Sequence, residues 1–311
     1  MRKKVIARST VQRSGEKNER PFKEKWIHQC FGISRQAYYK RIKKQELEQK
    51  QALIIFELIK PIRLLQPRYG CAKVYLDIKG DLIKNGIKMG RDKFYALMRN
   101  YGLLIKKTKK YHITTDSNHG FYKSEDLTVN LEIINAEQVF VSDITYIKLA
   151  SQHAYLALVT DAYSKKVMGY KIDTNMKVKL VKDALEMAGN NRIYKHQNTI
   201  HHSDRGIQYC CPDFADFAKA KNMTLSTTQN SSPYENAVAE RINGILKQEF
   251  GLGKTIPNFK TAQKMVKQAI EIYNNHRRHY SVELKTPEFA HKNQQHKYKS
   301  YRKMKKSILN T

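Results

Sequence analysis

Apolar positions recur along this chain with two different periods, and the change between them divides it. Up to residue 104 they fall three and four residues apart, the spacing of a helix with one buried face. Residues 48–65 carry Leu53, Ile54, Phe56, Leu58, Ile59, Leu64 and Leu65 in this way, predicting one helix that Pro61 ends or kinks. QPRYGCAKVYLDIKGDLIKNG predicts a helix that stops near Asn85-Gly86. IKMGRDKFYALMRNYGLL starts the next, with Leu97, Met98, Leu103 and Leu104 on its core side. Further upstream, FKEKWIHQCFGISRQAYYKRIKKQ reads as helix, tight turn at Gly32, then a second helix capped by Ser34.

From Gln138 the period shortens to two. VFVSDITYIKL, HAYLALVTDAY and SKKVMGYKID predict three strands. KVKLVKDALEMAGN predicts a helix burying Leu180, Val181, Ala184, Leu185 and Met187. NTIHHSD predicts a short central strand, PDFADFAKAKN a helix and MTLSTT a strand. The loop QNSSPYENA, with Pro233 and Glu235, then leads into the helix AVAERINGILKQE. Three strands followed by alternating helices and strands is the ribonuclease-H-like order, an α/β mixed sheet flanked by helices. Residues 113–137 carry few apolar residues and two turn-like clusters. The expected organisation is therefore a basic mobile N-terminus (1–21), a helical helix-turn-helix-like DNA-binding region (22–112), a linker (113–137), a catalytic core (138–290) and a basic tail (291–311).

Charge changes the picture next. The chain has 58 Lys+Arg against 28 Asp+Glu in 311 residues, a formal net charge of +30, which suits a polyanionic partner. The excess sits at the two ends, and residues 131–290 carry 21 Lys+Arg against 16 Asp+Glu. Arg35 and Tyr38, beside Tyr39, Lys40 and Arg41, are candidate DNA contacts on the second helix of the first helix-turn-helix pattern. Arg91 and Lys93, with Tyr95 and Arg99, are the candidates of the second, and the basic stretch IKKTKKYHITT would track phosphates. A plain basic surface helix is the competing reading for residues 22–45. No apolar run reaches the roughly 20 residues that span a bilayer. The N-terminus is basic but has no apolar segment behind it, so no secretory signal is read there. Cys30, Cys71, Cys210 and Cys211 form no CxxC pair, which points to a reducing cytoplasm.

The candidate chemistry rests on three acids. Asp143 lies in the first predicted strand, Asp204 follows the short central one, and Glu240 lies on the helix beyond it, with 35 residues between the last two. Two carboxylates at strands and one on a helix can hold two divalent cations beside a phosphodiester, where they activate the attacking oxygen and stabilise the leaving one. In open α/β sheets such sites lie beyond strand ends. Asn236, Glu240, Asn243 or Gly244, and Lys247 share one helix face. That polar stripe is expected to face metal and DNA, with Lys247 and Asn236 as DNA contacts. Arg205, before Gly206 and Tyr209, is either a DNA contact or part of the loop. Arg277 and Arg278 in NNHRRHYS either bind DNA or pack a final helix. His201 and His202 read as core or supporting groups, and Asp161 as structural.

The strings SDITYI, YLALVTDAYSKKVMGY, IHHSDRGIQY, SPYENAVAERINGILKQE and AIEIYNNHRRHYSVELKTPEFA together resemble the integrase-core transposases of bacterial insertion sequences. The likeness extends over residues 25–292 and is strongest over 138–290. It is nearest to the group whose transposase is split between two overlapping reading frames, and here to the downstream product. The resemblance implies a retroviral-integrase-like fold and chemistry dependent on Mg²⁺ or Mn²⁺, with two ions. In it Asp143, Asp204 and Glu240 are the catalytic metal ligands. It implies 3′-end nicking of transposon DNA followed by direct attack of the freed hydroxyl, first joining one end to the other. It also implies a multimer on nucleoid DNA and an upstream-frame partner, fused or separate. The chain departs from the family pattern in lacking a Trp before the first acid and in carrying Glu235 and Arg241. Two other readings are a catalytically silent DNA-binding regulator and a general nuclease of the same fold.

Overall fold

The computed structural model describes residues 30, 32–105, 124–129, 131–229 and 236–297. The basic N-terminus, most of the first helix of the 22–45 pattern, the IKKTKKYHITT stretch beyond Ile105, Pro233, Glu235 and the tail from residue 298 lie outside them. The chain forms two compact units, residues 1–61 with 75–102, and residues 62–74 with 103–311.

In the first unit, α1 (Arg35–Leu65) runs unbroken where the pattern predicted two helices. Pro61 lies inside it, so of the two outcomes expected at this proline, an end or a kink, the helix does not end there. A proline removes one ladder hydrogen bond, and Gln66 N–H still donates to the Ile62 carbonyl beyond it. Ala52, Ile55 and Ile59 face inward, while Leu53, Ile54, Leu64 and Leu65 are exposed. α2 (Cys71–Lys84) stops where the sequence predicts. Gly86 takes a φ of 68°, Ile87 N–H reaches back to Leu82, and Gly86 N–H to Ile83. This is the left-handed cap that glycine adopts without a Cβ penalty. α3 (Arg91–Asn100) follows and buries Phe94 and Met98. Leu103 is exposed rather than in the core.

The second unit is built on a five-stranded sheet ordered β3-β2-β1-β4-β5. The strands are β1 (Val139–Lys148), β2 (His153–Asp161), β3 (Val167–Asp173), β4 (Thr199–Ser203) and β5 (Met223–Thr227). β1, β2 and β3 pair antiparallel, while β4 lies parallel to β1 and β5 parallel to β4. This is the mixed sheet expected from the element order, with β1 at its centre. The helices are α4 (Val178–Asn190), α5 (Ile207–Cys210), α6 (Pro212–Ala220), α7 (Ala237–Glu249), α8 (Phe259–Asn275) and α9 (Pro287–Asn293). The short α5 and the bounds of α8 and α9 go beyond the predicted elements.

Side-chain alternation along β1 and β2 sorts the core onto two faces. Phe140, Ala157 and Val159 pack with Leu180, Val181, Ala184 and Leu185 of α4 and Phe214 of α6. Ile147, Leu156 and Leu158 pack with Ile242, Ile245 and Leu246 of α7 and with Val266 and Tyr273 of α8. Met187 does not join the buried face of α4, and Ala188 takes that place. The reason lies on β3. A Cβ on Gly169 would stand 2.1 Å from the Ala184 carbonyl oxygen and 2.5 Å from the Ala188 amide nitrogen, so helix and strand meet there backbone to backbone.

Residues 124–129 and 131–137 pack on this unit. Leu127 N–H donates to Ser226 Oγ, Thr227 Oγ1 donates to the Ser124 carbonyl, and Ile133 and Ala136 are buried. Among the described residues no helix is long and apolar enough to cross a membrane, and all four cysteines are free thiols.

Candidate active site

The central position of β1 decides where the three acids meet. The parallel ladder between β1 and β4 ends at the pair Ser142–Ser203. Asp143 and Asp204 are the next residues along those adjacent strands, so the two carboxylates leave the sheet side by side. Glu240 comes from α7, which is fastened over β1 at two points. Asn236 Nδ2 donates to the Ser142 carbonyl at 2.9 Å, and Asn243 Nδ2 donates to Asp143 Oδ2 at 2.7 Å. Glu240 lies between these two anchors on the same helix face and is exposed.

Electrostatics register the crowding of negative charge. Burial, followed by the charge of Asp204, pushes Asp143 up to about 7. Glu240 adds to that rise, and the Asn243 hydrogen bond opposes it. Glu240 is itself raised, first by burial and then by Asp204. Like-charged carboxylates sharing a site favour the bound proton, or a cation in its place. The donor set is all oxygen and hard, which fits Mg²⁺ or Mn²⁺ better than soft-ligand metals. Among the described residues no three His, Cys, Asp or Glu side chains already stand at the spacing of a metal cage. The acids lie within electrostatic reach of each other without being drawn into a closed cluster.

Neighbouring groups hold the acids in place. Gly206 N–H donates to Asp204 Oδ1 at 3.0 Å. A side chain at Gly206 would press on that same oxygen from 3.0 Å. Lys247, half-buried one turn beyond Asn243, feels the Asp143 charge, while burial lowers its pKa. His201 is buried and hydrogen-bonded to Ser142 at 2.7 Å. Burial, followed by His202, lowers it to about 3, so it is a neutral core group. His202 is likewise buried, 2.9 Å from Ser226 Oγ.

Several candidate DNA contacts are otherwise engaged. Asn236 is 6% exposed and serves as a clamp on β1. Arg277 is 2% exposed, and its guanidinium grips both oxygens of Glu249 at 2.7 Å. The sequence placed Asn236 on the DNA side and left Arg277 between DNA binding and packing, because polarity alone does not tell a clamp from a contact. Arg278 is half-buried and donates to the Leu284 carbonyl. Arg205 donates to the Thr228 carbonyl at 2.6 Å. Arg35, Arg91 and Lys93 are exposed and Tyr38 is half-buried. The Arg35 guanidinium lies over the Tyr39 ring, and Arg91 is 3.2 Å from Asp92.

A buried ionic cluster went unseen in the sequence. His291 of α9 bridges Asp161 at 3.3 Å and Glu137 at 3.1 Å, and Arg192 reaches Glu137 at 3.3 Å. Its members are far apart in sequence, so no local motif announces them. Asp161 has the structural part the sequence suggested.

Known proteins share sequence with this chain. Residues 135–233 match one model described as "Integrase core domain", and residues 221–287 match a second of the same description. The Shigella sonnei "Insertion element IS600 uncharacterized 31 kDa protein" is 31% identical over 81% of this chain and 92% of its own length. The Escherichia coli K12 transposase InsF of insertion sequence IS3A is 31% identical over 73% of this chain and 78% of its own. Among solved structures, the magnesium-bound catalytic core domain of HTLV-2 integrase aligns with a TM-score of 0.42 at 18% identity, over 51% of this chain and 98% of that one. A mixed sheet centred on β1, two acids beside the end of the β1–β4 ladder with a third on α7, and relatives matched over most of their length lead to one conclusion: this chain belongs to the insertion-sequence transposases with an integrase core domain.

Proposed function

We propose that this chain nicks the 3′ ends of its element and transfers the freed strand, using Asp143, Asp204 and Glu240 to hold the divalent cations. The observation that carries this reading is the meeting of the three acids over the centre of the sheet, each acid or its neighbours pinned by a named hydrogen bond. Asn243 engages Asp143 Oδ2 and Gly206 N–H engages Asp204 Oδ1. Mg²⁺ or Mn²⁺ held there would supply Lewis-acid activation of the attacking oxygen and stabilise the leaving one.

Lys247, beside Asp143, is placed to meet a phosphate of the reacting strand. Arg35, Tyr38, Arg91 and Lys93 would contact DNA from the helical region, giving affinity that falls as salt rises. Arg205 and Arg278 would follow the backbone near the core. The protein would act as a multimer holding two ends together, in the bacterial cytoplasm on nucleoid DNA, with an upstream-frame protein fused to it or supplied separately.

Strand joining tests this directly. Wild type and Asp204→Asn are incubated with labelled element ends, Mg²⁺ and the upstream-frame product. Joined products from the wild type alone are expected. End binding without products from either protein would overturn the catalytic reading in favour of a silent regulator.

A further inference from the structure

The sequence motif that carries Asp204 also carries Tyr209, whose chemistry the active site has not used. Tyr209 is 3% exposed. Its ring is set by packing, with His201 at 5.8 Å and Phe214 at 5.5 Å between centroids, the latter edge to face. Its backbone N–H is tied to the Gly206 carbonyl. Gly206 is where ring and carboxylate come together. A Cβ there would meet Asp204 Oδ1 at 3.0 Å and Tyr209 Cδ2 at 3.6 Å. The phenol hydroxyl is fully buried and has no hydrogen-bond partner among the described residues. After burial, the charges of Asp204 and then Asp143 hold its proton most firmly, so it stays a donor.

A buried hydroxyl without an acceptor is costly, and an apolar ring of the same shape would avoid that cost. A packed ring also cannot swing its hydroxyl away to find a partner elsewhere. An acceptor carried in by a bound ligand would satisfy the hydroxyl. Mg²⁺ and Mn²⁺ keep several waters when held by carboxylates, and groups that orient such outer ligands shape metal affinity.

We propose that Tyr209 is a positioning residue for the bound cation, its hydroxyl donating to a water of hydration of the ion held by Asp204. This rests on the reading that the three acids bind the cation, and the experiment separates the two. Mn²⁺ binding is measured calorimetrically on the full chain for wild type, Tyr209→Phe and Asp204→Asn. Melting temperature is measured with and without the ion.

The expected result is that Tyr209→Phe binds Mn²⁺ about 10-fold more weakly. Its metal-free melting temperature should equal or exceed that of wild type, because the unpaired hydroxyl is gone. Its ion-induced rise in melting temperature should shrink. A residue that merely fills space would leave Mn²⁺ affinity and the ion-induced rise unchanged, with the same metal-free melting temperature. Equal Mn²⁺ affinity in wild type and Tyr209→Phe, with Asp204→Asn impaired, would overturn the proposal and leave the metal site standing. Absence of any Asp204-dependent binding in wild type would overturn both.

Discussion

Asn243 donates from Nδ2 to Oδ2 of Asp143 at 2.7 Å, joining α7 to the central strand at a carboxylate whose pKa is pushed up to about 7. The bond ties Oδ2 of Asp143 to the helix that carries Glu240. It also stabilises the ionised form against burial and two neighbouring charges.

Replacing Asn243 by Ala should therefore cost strand joining more than end binding. A supporting group of this kind is worth about 10–100-fold in metal affinity or activity. Joining rates across a Mn²⁺ titration check it, with higher metal restoring part of the loss. Unchanged joining at every metal concentration would remove Asn243 from the site.

Gly169 gives a prediction about packing. Its Cβ position lies 2.1 Å from the Ala184 carbonyl oxygen, a backbone atom that cannot step aside. Gly169→Ala should force β3 and α4 apart and lose about 3 kcal/mol or more. Urea unfolding of the purified variant measures this, and a loss below about 1 kcal/mol would contradict the close approach.

The cluster around His291 predicts a pH dependence. Burial lowers the His291 pKa, but the hydrogen bonds to Asp161 and Glu137 outweigh it and the net shift is upward. Burial raises Glu137 and Asp161, but hydrogen bonds to His291 outweigh it and both end lowered. The histidine contribution is complete below its ordinary 6.5 and is lost as pH rises through the raised folded value. The carboxylate contribution is complete above about pH 5 and is lost as pH falls through the depressed folded values. Melting temperature should thus peak between about pH 5 and 6.5. His291→Gln should lower the peak by breaking a buried pair, at a cost of about 3–5 kcal/mol, and should flatten the alkaline decline.

Arg277 separates a clamp from a DNA contact. Its fork on Glu249 is almost wholly buried, so Arg277→Ala should destabilise the fold by about 3 kcal/mol. The salt dependence of DNA binding should keep its slope, since no phosphate contact is removed. A slope reduced by about one unit would return Arg277 to the DNA interface.

The spacing of apolar residues is enough to mark the five core strands and most of their helices, and where the acids fall on them. Alternation around Asp143 already placed Val141, Thr145 and Ile147 on its side of β1, because a strand has a strict period of two. The stop at Gly86 was legible because a left-handed cap is a local need. Only the tertiary structure decided which polar groups turn inward. Asn236, Asn243 and Arg277 look like surface residues on a helix or in a loop, and become buried clamps because β1 or Glu249 offers a partner. His291, Glu137 and Asp161 meet across more than a hundred residues, and Ala188 replaces Met187 because Gly169 draws strand and helix together. Period and capping are properties of neighbours along the chain. Burial of a polar side chain depends on a partner that folding brings from elsewhere.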